Sequence, residues 1–155
     1  MENNYKKHLL ISILLFTIFV IPYSYLMEFF CPSITAHSNN IIEVKSDGSL
    51  ISVAIFVVLI GPFFETFIAQ LLPIEIINNV LKTKYKKTIS ILISSILFGI
   101  AHYYNTCYIL FAFFMGVVFA LIYTKTEDRF DKVYAFFTVF IVHALNNLMT
   151  LMTIL

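Results

Sequence analysis

The sequence predicts an all-α membrane protein: a polytopic bundle of about five transmembrane helices. Three observations carry this. Of 155 residues, 60% are hydrophobic and only 12% are charged, where a soluble domain normally carries about 25% charged residues. The apolar residues gather in five runs, at 9–27, 50–72, 88–104, 107–124 and 133–154, each within the roughly 17–25 residues that cross a hydrocarbon core. The charges fall almost wholly between those runs. So few charges cannot coat a globule, and lipid must therefore be the solvent for much of the surface.

The first run follows Lys6 and Lys7. It resembles the start of a signal peptide but lacks a clear small-residue cleavage site, and Phe29-Phe30-Cys31 is a poor lipid-attachment sequence. It reads as a retained helix. Segment 31–49 holds most of the polar sequence between the first two runs, including Asn39, Asn40, Glu43, Asp47 and Gly48, and reads as a loop. The second run is taken to end before Pro73. The third and fourth are separated only by Asn105 and Thr106, which predicts a helical hairpin. Residues 1–155 read as one membrane domain.

The basic residues orient the bundle. Lys6, Lys7, Lys82, Lys84, Lys86, Lys87, Lys125, Arg129 and Lys132 all fall on one side of this topology, and only Lys45 falls on the other. The positive-inside rule then puts the N-terminus in the cytoplasm and the C-terminus outside. No basic stripe interleaves with aromatics, so nucleic acid is not an expected partner. Cys31 and Cys107 form neither a CxxC nor a zinc-finger spacing. Both lie near the outer face, where either a single bridge or two free thiols fits the topology.

Three side chains stand out against this apolar background. Glu65, His102 and His143 are each the only acidic, basic or imidazole group in their run. A charge at a helix centre costs roughly 2.5–3.5 kcal/mol on insertion scales, so such residues usually turn inward to a partner and a task. Gly61 and Ala69 lie one turn either side of Glu65 and let a neighbouring helix approach it. Pro62 weakens the helix just before it. Phe98 and His102 are four residues apart and share a face, as do His143 and Asn147. A structural reading makes all of them helix–helix hydrogen-bonding groups. Taken together they suit amide hydrolysis: a carboxylate among apolar side chains is a usable general base, and a His and an Asn on one face can donate to a developing oxyanion. No Ser or Cys stands in a nucleophile motif, which favours direct attack by water.

Simple geometry sets a condition. Straight, perpendicular helices would put Glu65 ~8 Å, His143 ~15 Å and His102 ~21 Å above the inner face, a spread of ~13 Å. Helix tilt or shifted span edges must bring them level. Thr88, Ser90, Ser94 and Ser95 allow a lower start for the third helix, which would set the site in the inner half, open to the cytoplasm.

These segments resemble those of the CAAX-protease and bacteriocin-processing (CPBP/Abi) family of intramembrane proteases, which includes the type II CAAX prenyl endopeptidases. The family pattern is EExxxR, FxxxH and HxxxN on successive core helices. Phe98 and His102 match the second motif, His143 and Asn147 the third, and Glu65 the first glutamate of the first. Thr66 and Gln70 stand where the family has its second glutamate and its arginine. The resemblance covers a protease-like core of about 61–150. It implies an intramembrane endopeptidase of a bacterial plasma membrane, acting on a membrane-associated or lipid-modified protein or peptide. It also implies the roles: Glu65 and His102 activate water, and His143 and Asn147 form the oxyanion hole.

Two His and one Glu are also a zinc ligand set. There is no HExxH, each ligand comes from a different helix, and the metal-free mechanism is favoured. Two rival readings stay open. One is a non-catalytic bacteriocin-immunity or binding protein on the same scaffold, which Thr66 and Gln70 favour. The other is a transporter subunit with a proton relay, although no inverted repeat is visible. His8 and His37 read as loop or interface histidines, Glu28 as water-facing, and Glu75 as a partner of the basic 82–87 loop. The Phe-rich run 111–119 reads as packing or lipid-facing surface.

Overall fold

The computed structural model describes residues 2–31 and 50–154. They form five helices: α1 (Glu2–Phe30), α2 (50–80), α3 (Lys86–Ala101), α4 (Thr106–Arg129) and α5 (Lys132–Ile154). No strand occurs among the described residues. Most of segment 31–49, with His37 and Lys45, lies outside them.

Four helices are long and apolar enough to cross a membrane: α1, α2, α4 and α5. The fifth, α3, has 16 residues and is only ~24 Å long. Two of the shifted edges bear on Glu65 and His102. The second span does not stop before Pro73 but runs on to Val80. The third stops at Ala101 rather than 104, with His102 as its C-cap donating its backbone N–H to the Gly99 carbonyl.

The continuity of α2 through Pro62 and Pro73 has a local cause. Phe56–Ile60 and Thr66–Leu71 are π-helical, with wide turns. The Gly61 N–H reaches back five residues to the Phe56 carbonyl, and the Leu72 N–H does the same to Phe67. Proline removes an N–H from the regular ladder and crowds the carbonyl four residues earlier; a wide turn relieves that crowding without breaking the helix. Carbonyls freed in this way need other donors in lipid. The Ala69 carbonyl, whose regular partner would be the N–H that Pro73 lacks, accepts from Ser94 Oγ of α3 at 2.5 Å.

Small residues set the closest packing. α3 lies along α4. A Cβ on Gly116 would come within 3.0 Å of Phe98 Cβ and 3.1 Å of Ser95 Cα, and one on Gly99 within 3.1 Å of the Ile109 carbonyl. The buried hydroxyls of Ser90 and Ser95 bond carbonyls of their own helix. The core between helices is apolar and aromatic, with Phe16 stacked on Phe119 and Phe98 edge-on to Phe119. The Phe-rich run divides: Met115 and Phe119 are buried, while Phe114 faces outward. The outward face of the bundle is rich in exposed Leu, Ile and Phe, as a lipid-facing surface requires.

α1 is strapped across α4 and α5. Tyr5 meets Thr138 at 3.2 Å, His8 meets Thr126 at 2.8 Å, and the Tyr23 hydroxyl donates to the Phe111 carbonyl at 3.3 Å. At its far end Cys31 is disulfide-bonded to Cys107, with Cα atoms 6.0 Å apart. Of the two states the sequence left open for these cysteines, the structure has the bridge. Glu75 departs from its expected partner: it accepts from the Tyr123 hydroxyl at 3.1 Å inside the bundle. In the basic loop, Lys86 instead reaches the Asn78 carbonyl at 3.1 Å, and Lys87 pairs with Asp128.

Candidate active site

Glu65, His102 and His143 meet. Glu65 Oε2 lies 3.6 Å from His102 Nε2 and 3.5 Å from His143 Nε2. Three helices supply them, and the revised helix edges narrow their difference in level, leaving the rest to helix tilt. Glu65 is 15 residues from either end of α2, ~22 Å above Val80. His102 caps α3 ~24 Å above Lys86, and His143 lies ~16 Å above Lys132 on α5. Carrying α2 on to Val80 raises Glu65 by ~14 Å and cuts the spread from ~13 to ~8 Å.

The ring surroundings indicate which nitrogen of each neutral ring carries the proton. His102 Nδ1 lies 2.7 Å from the Phe98 carbonyl. A carbonyl only accepts, so Nδ1 donates, and a neutral His102 turns the Nε2 lone pair toward Glu65. This is the contact that the four-residue spacing of Phe98 and His102 produces. His143 is the reverse. Its Nδ1 is buried with no hydrogen-bond partner among the described residues, and its Nε2 faces the carboxylate. The carboxylate beside Nε2 favours the proton of a neutral ring on that nitrogen. Its ring is held between Phe98 and Phe119, at centroid distances of 5.5 and 4.7 Å. Glu65 Oε2 thus stands between one acceptor nitrogen and one donor nitrogen.

Asn147 lies one turn beyond His143. Its Nδ2 donates to the Val57 carbonyl on α2 at 3.0 Å, and its Oδ1 accepts from Asn146 Nδ2 at 3.3 Å. One Nδ2 hydrogen remains for another acceptor. A cavity of about 50 Å³ adjoins the group, several times the roughly 10–15 Å³ that one water needs. Phe98, Met115 and Phe119 make its apolar wall, and His102, His143 and Asn147 its polar one. Tyr108, Phe111 and Asn146 line it too, toward the Cys31–Cys107 end of the bundle. The sequence put the opening on the lysine-rich side; the cavity lies on the other. Tyr108 and Asn146 carried no sequence signal, since each is an ordinary polar residue of an apolar run.

Thr66 and Gln70 are fully buried one turn apart on α2. Thr66 Oγ1 and both polar atoms of the Gln70 amide have no hydrogen-bond partner among the described residues. They stand where the EExxxR pattern has its second glutamate and its arginine, and form no ion pair there. No group of three or more His, Cys, Asp or Glu among the described residues is arranged to hold a metal ion.

Fold and site together define an integral membrane protein with an acid–imidazole centre inside a helical bundle. Residues 47–149, about two thirds of the chain, match the family model described as type II CAAX prenyl endopeptidase Rce1-like. The chain belongs to that family, one of CAAX proteases embedded in the membrane. No curated protein and no solved structure matches it.

Proposed function

We propose that the protein is an intramembrane endopeptidase that hydrolyses a peptide bond in a membrane-associated or lipid-modified protein or peptide, using water activated by Glu65. The observation that carries this reading is the position of Glu65 Oε2 between His102 Nε2 and His143 Nε2 at 3.6 and 3.5 Å. A water there donates one hydrogen to Glu65 and the other to His102 Nε2, which turns an oxygen lone pair toward the substrate carbonyl. Glu65 takes the proton as the oxygen–carbon bond forms. The oxyanion accepts from His143 Nε2–H and from the second Nδ2 hydrogen of Asn147. Glu65 then passes its proton to the leaving amine as the C–N bond breaks. No step needs a metal ion. The cytoplasmic side is the one bearing the lysine-rich loops, which leaves the Cys31–Cys107 bridge on the oxidising side, where disulfides persist.

The test is product analysis with the purified chain in lipid vesicles. A peptide ending in a prenylated CAAX sequence should be shortened, with the new ends found by mass spectrometry. Intact prenylated and unmodified membrane peptides after long incubation would overturn the assignment. Thr66 and Gln70, without a side-chain hydrogen-bond partner among the described residues, support one second reading, a non-catalytic bacteriocin-immunity protein. In that case cells would stay protected when Glu65 is replaced by Gln.

A further inference from the structure

The wide turn of α2 before Glu65 does more than accommodate a proline. The Val57 carbonyl would ordinarily accept from the Gly61 N–H, but that N–H goes to Phe56 instead. The next residue along is Pro62, which has no N–H to give. Val57 is thereby left with a free acceptor on the face that meets α5, and Asn147 Nδ2 takes it at 3.0 Å. A carboxamide held this way has its oxygen and nitrogen ends assigned, with Oδ1 turned to Asn146.

The same turn sets the direction of Glu65. Each residue of an α-helix advances about 100°, so restoring a regular turn would rotate Glu65 by about that angle relative to Val57 and move its Cα by roughly 3.5 Å on a cylinder of radius 2.3 Å. With Val57 docked on α5, that rotation takes the carboxylate away from both imidazoles. Gly61 keeps the space beside it open: a Cβ there would sit 3.3 Å from the Phe56 carbonyl and 3.6 Å from Glu65 Oε1. Pro73 supplies a contrast. It opens a second wide turn, but the freed Ala69 carbonyl is taken by Ser94, away from the imidazoles, and serves only to join α2 to α3.

We infer that Pro62 is a positioning residue: by withholding one N–H it aims Glu65 at His102 and His143 and frees the Val57 carbonyl to orient Asn147. The inference rests on the reading of Glu65 and Asn147 as members of one hydrolytic site. Three variants of the full chain in lipid vesicles test it: Pro62→Ala, Pro62→lactic acid and Ser94→Ala. Lactic acid places an ester at position 62 and so lacks both the N–H and the ring. Two quantities are read: kcat and KM on a prenylated CAAX peptide, and the ¹⁵N resonance of the Asn147 side-chain amide. Pro62→Ala is expected to lower kcat about 10²-fold, the effect of a misplacement of about an ångström or more, with KM little changed and the Asn147 resonance moved toward that of a free amide. Pro62→lactic acid should restore both. Ser94→Ala should spare both while lowering thermal stability.

Full kcat and an unmoved resonance in Pro62→Ala would overturn the inference. So would an ester variant as impaired as the alanine one, since the ring's packing would then be what matters. Equal loss of turnover in Ser94→Ala would show that any loosening of α2 suffices, with the same consequence. If Pro62→Ala does not accumulate, the ester variant decides, because it must keep the wild-type Asn147 resonance. If the wild-type chain cleaves nothing, the proposed function fails; the Asn147 resonance in Pro62→Ala then decides this inference by itself.

Discussion

His102 Nε2 faces Glu65 Oε2 at 3.6 Å, and the Phe98 carbonyl, 2.7 Å from Nδ1, draws the proton of a neutral ring to Nδ1 and leaves Nε2 as an acceptor. An acceptor nitrogen beside a carboxylate suits the water of the proposed mechanism, which can donate one hydrogen to each. His102→Ala should therefore lower kcat by roughly 10²–10⁴-fold, the range for loss of a group that handles the proton or its carrier. His102→Gln should recover part of that loss, because its amide oxygen can accept from the same water. Steady-state turnover of the two variants, each checked for membrane insertion, reads this out.

In the proposed mechanism no step calls for a metal ion. Proteolysis by the reconstituted chain should withstand prolonged treatment with a strong zinc chelator, and added zinc should not raise it. Activity lost on chelation and restored by zinc would transfer water activation from Glu65 to an ion.

The Cys31–Cys107 bridge closes a loop across a sequence separation of 76 residues. Loops of this size contribute roughly 3–5 kcal/mol through the entropy of the unfolded chain. Cys31→Ser should lower the thermal midpoint in detergent, and a reductant should lower the wild type to the same value while leaving the variant unmoved. Thermal unfolding with and without a thiol reductant measures this.

Close approach of α3 and α4 predicts a size limit at Gly116. Its Cβ position lies 3.0 Å from Phe98 Cβ and 3.1 Å from Ser95 Cα, so Gly116→Val should destabilise by roughly 1–3 kcal/mol through overpacking. Phe98 also carries the carbonyl that orients His102, so turnover should fall along with the thermal midpoint.

At Gln70 the expectation runs the other way. Both polar atoms of its fully buried amide lack a partner among the described residues, and such a group costs about 1–3 kcal/mol. Gln70→Leu should leave the thermal midpoint unchanged or raise it. A large drop would show that the amide is paired after all.

Hydropathy made the number and order of the helices legible, because lipid tolerates few alternatives to an apolar span. The meeting of Glu65, His102 and His143 was legible in part: lone polar groups in apolar helices must turn inward, and the ordered motifs paired them. Their common level was not. Ending α2 before Pro73 set Glu65 ~14 Å too low, because the wide turns that carry α2 past both prolines leave no mark in hydropathy. The anchoring of Asn147 to Val57 was hidden for the same reason, since it depends on a carbonyl freed by another residue's missing N–H. Glu75 went to Tyr123 rather than to the lysines because a buried phenol satisfies a carboxylate at the bundle's inner edge without an exposed ion pair.

The claim that Glu65 activates the water is tested most directly by the single-turnover cleavage rate of Glu65→Gln on a prenylated CAAX peptide in lipid vesicles. Glutamine keeps the size and burial of the side chain but cannot take a proton from water. The predicted result is a rate reduced by roughly 10²–10⁴-fold or more, with peptide binding retained. A variant that cleaves at the wild-type rate would contradict the account.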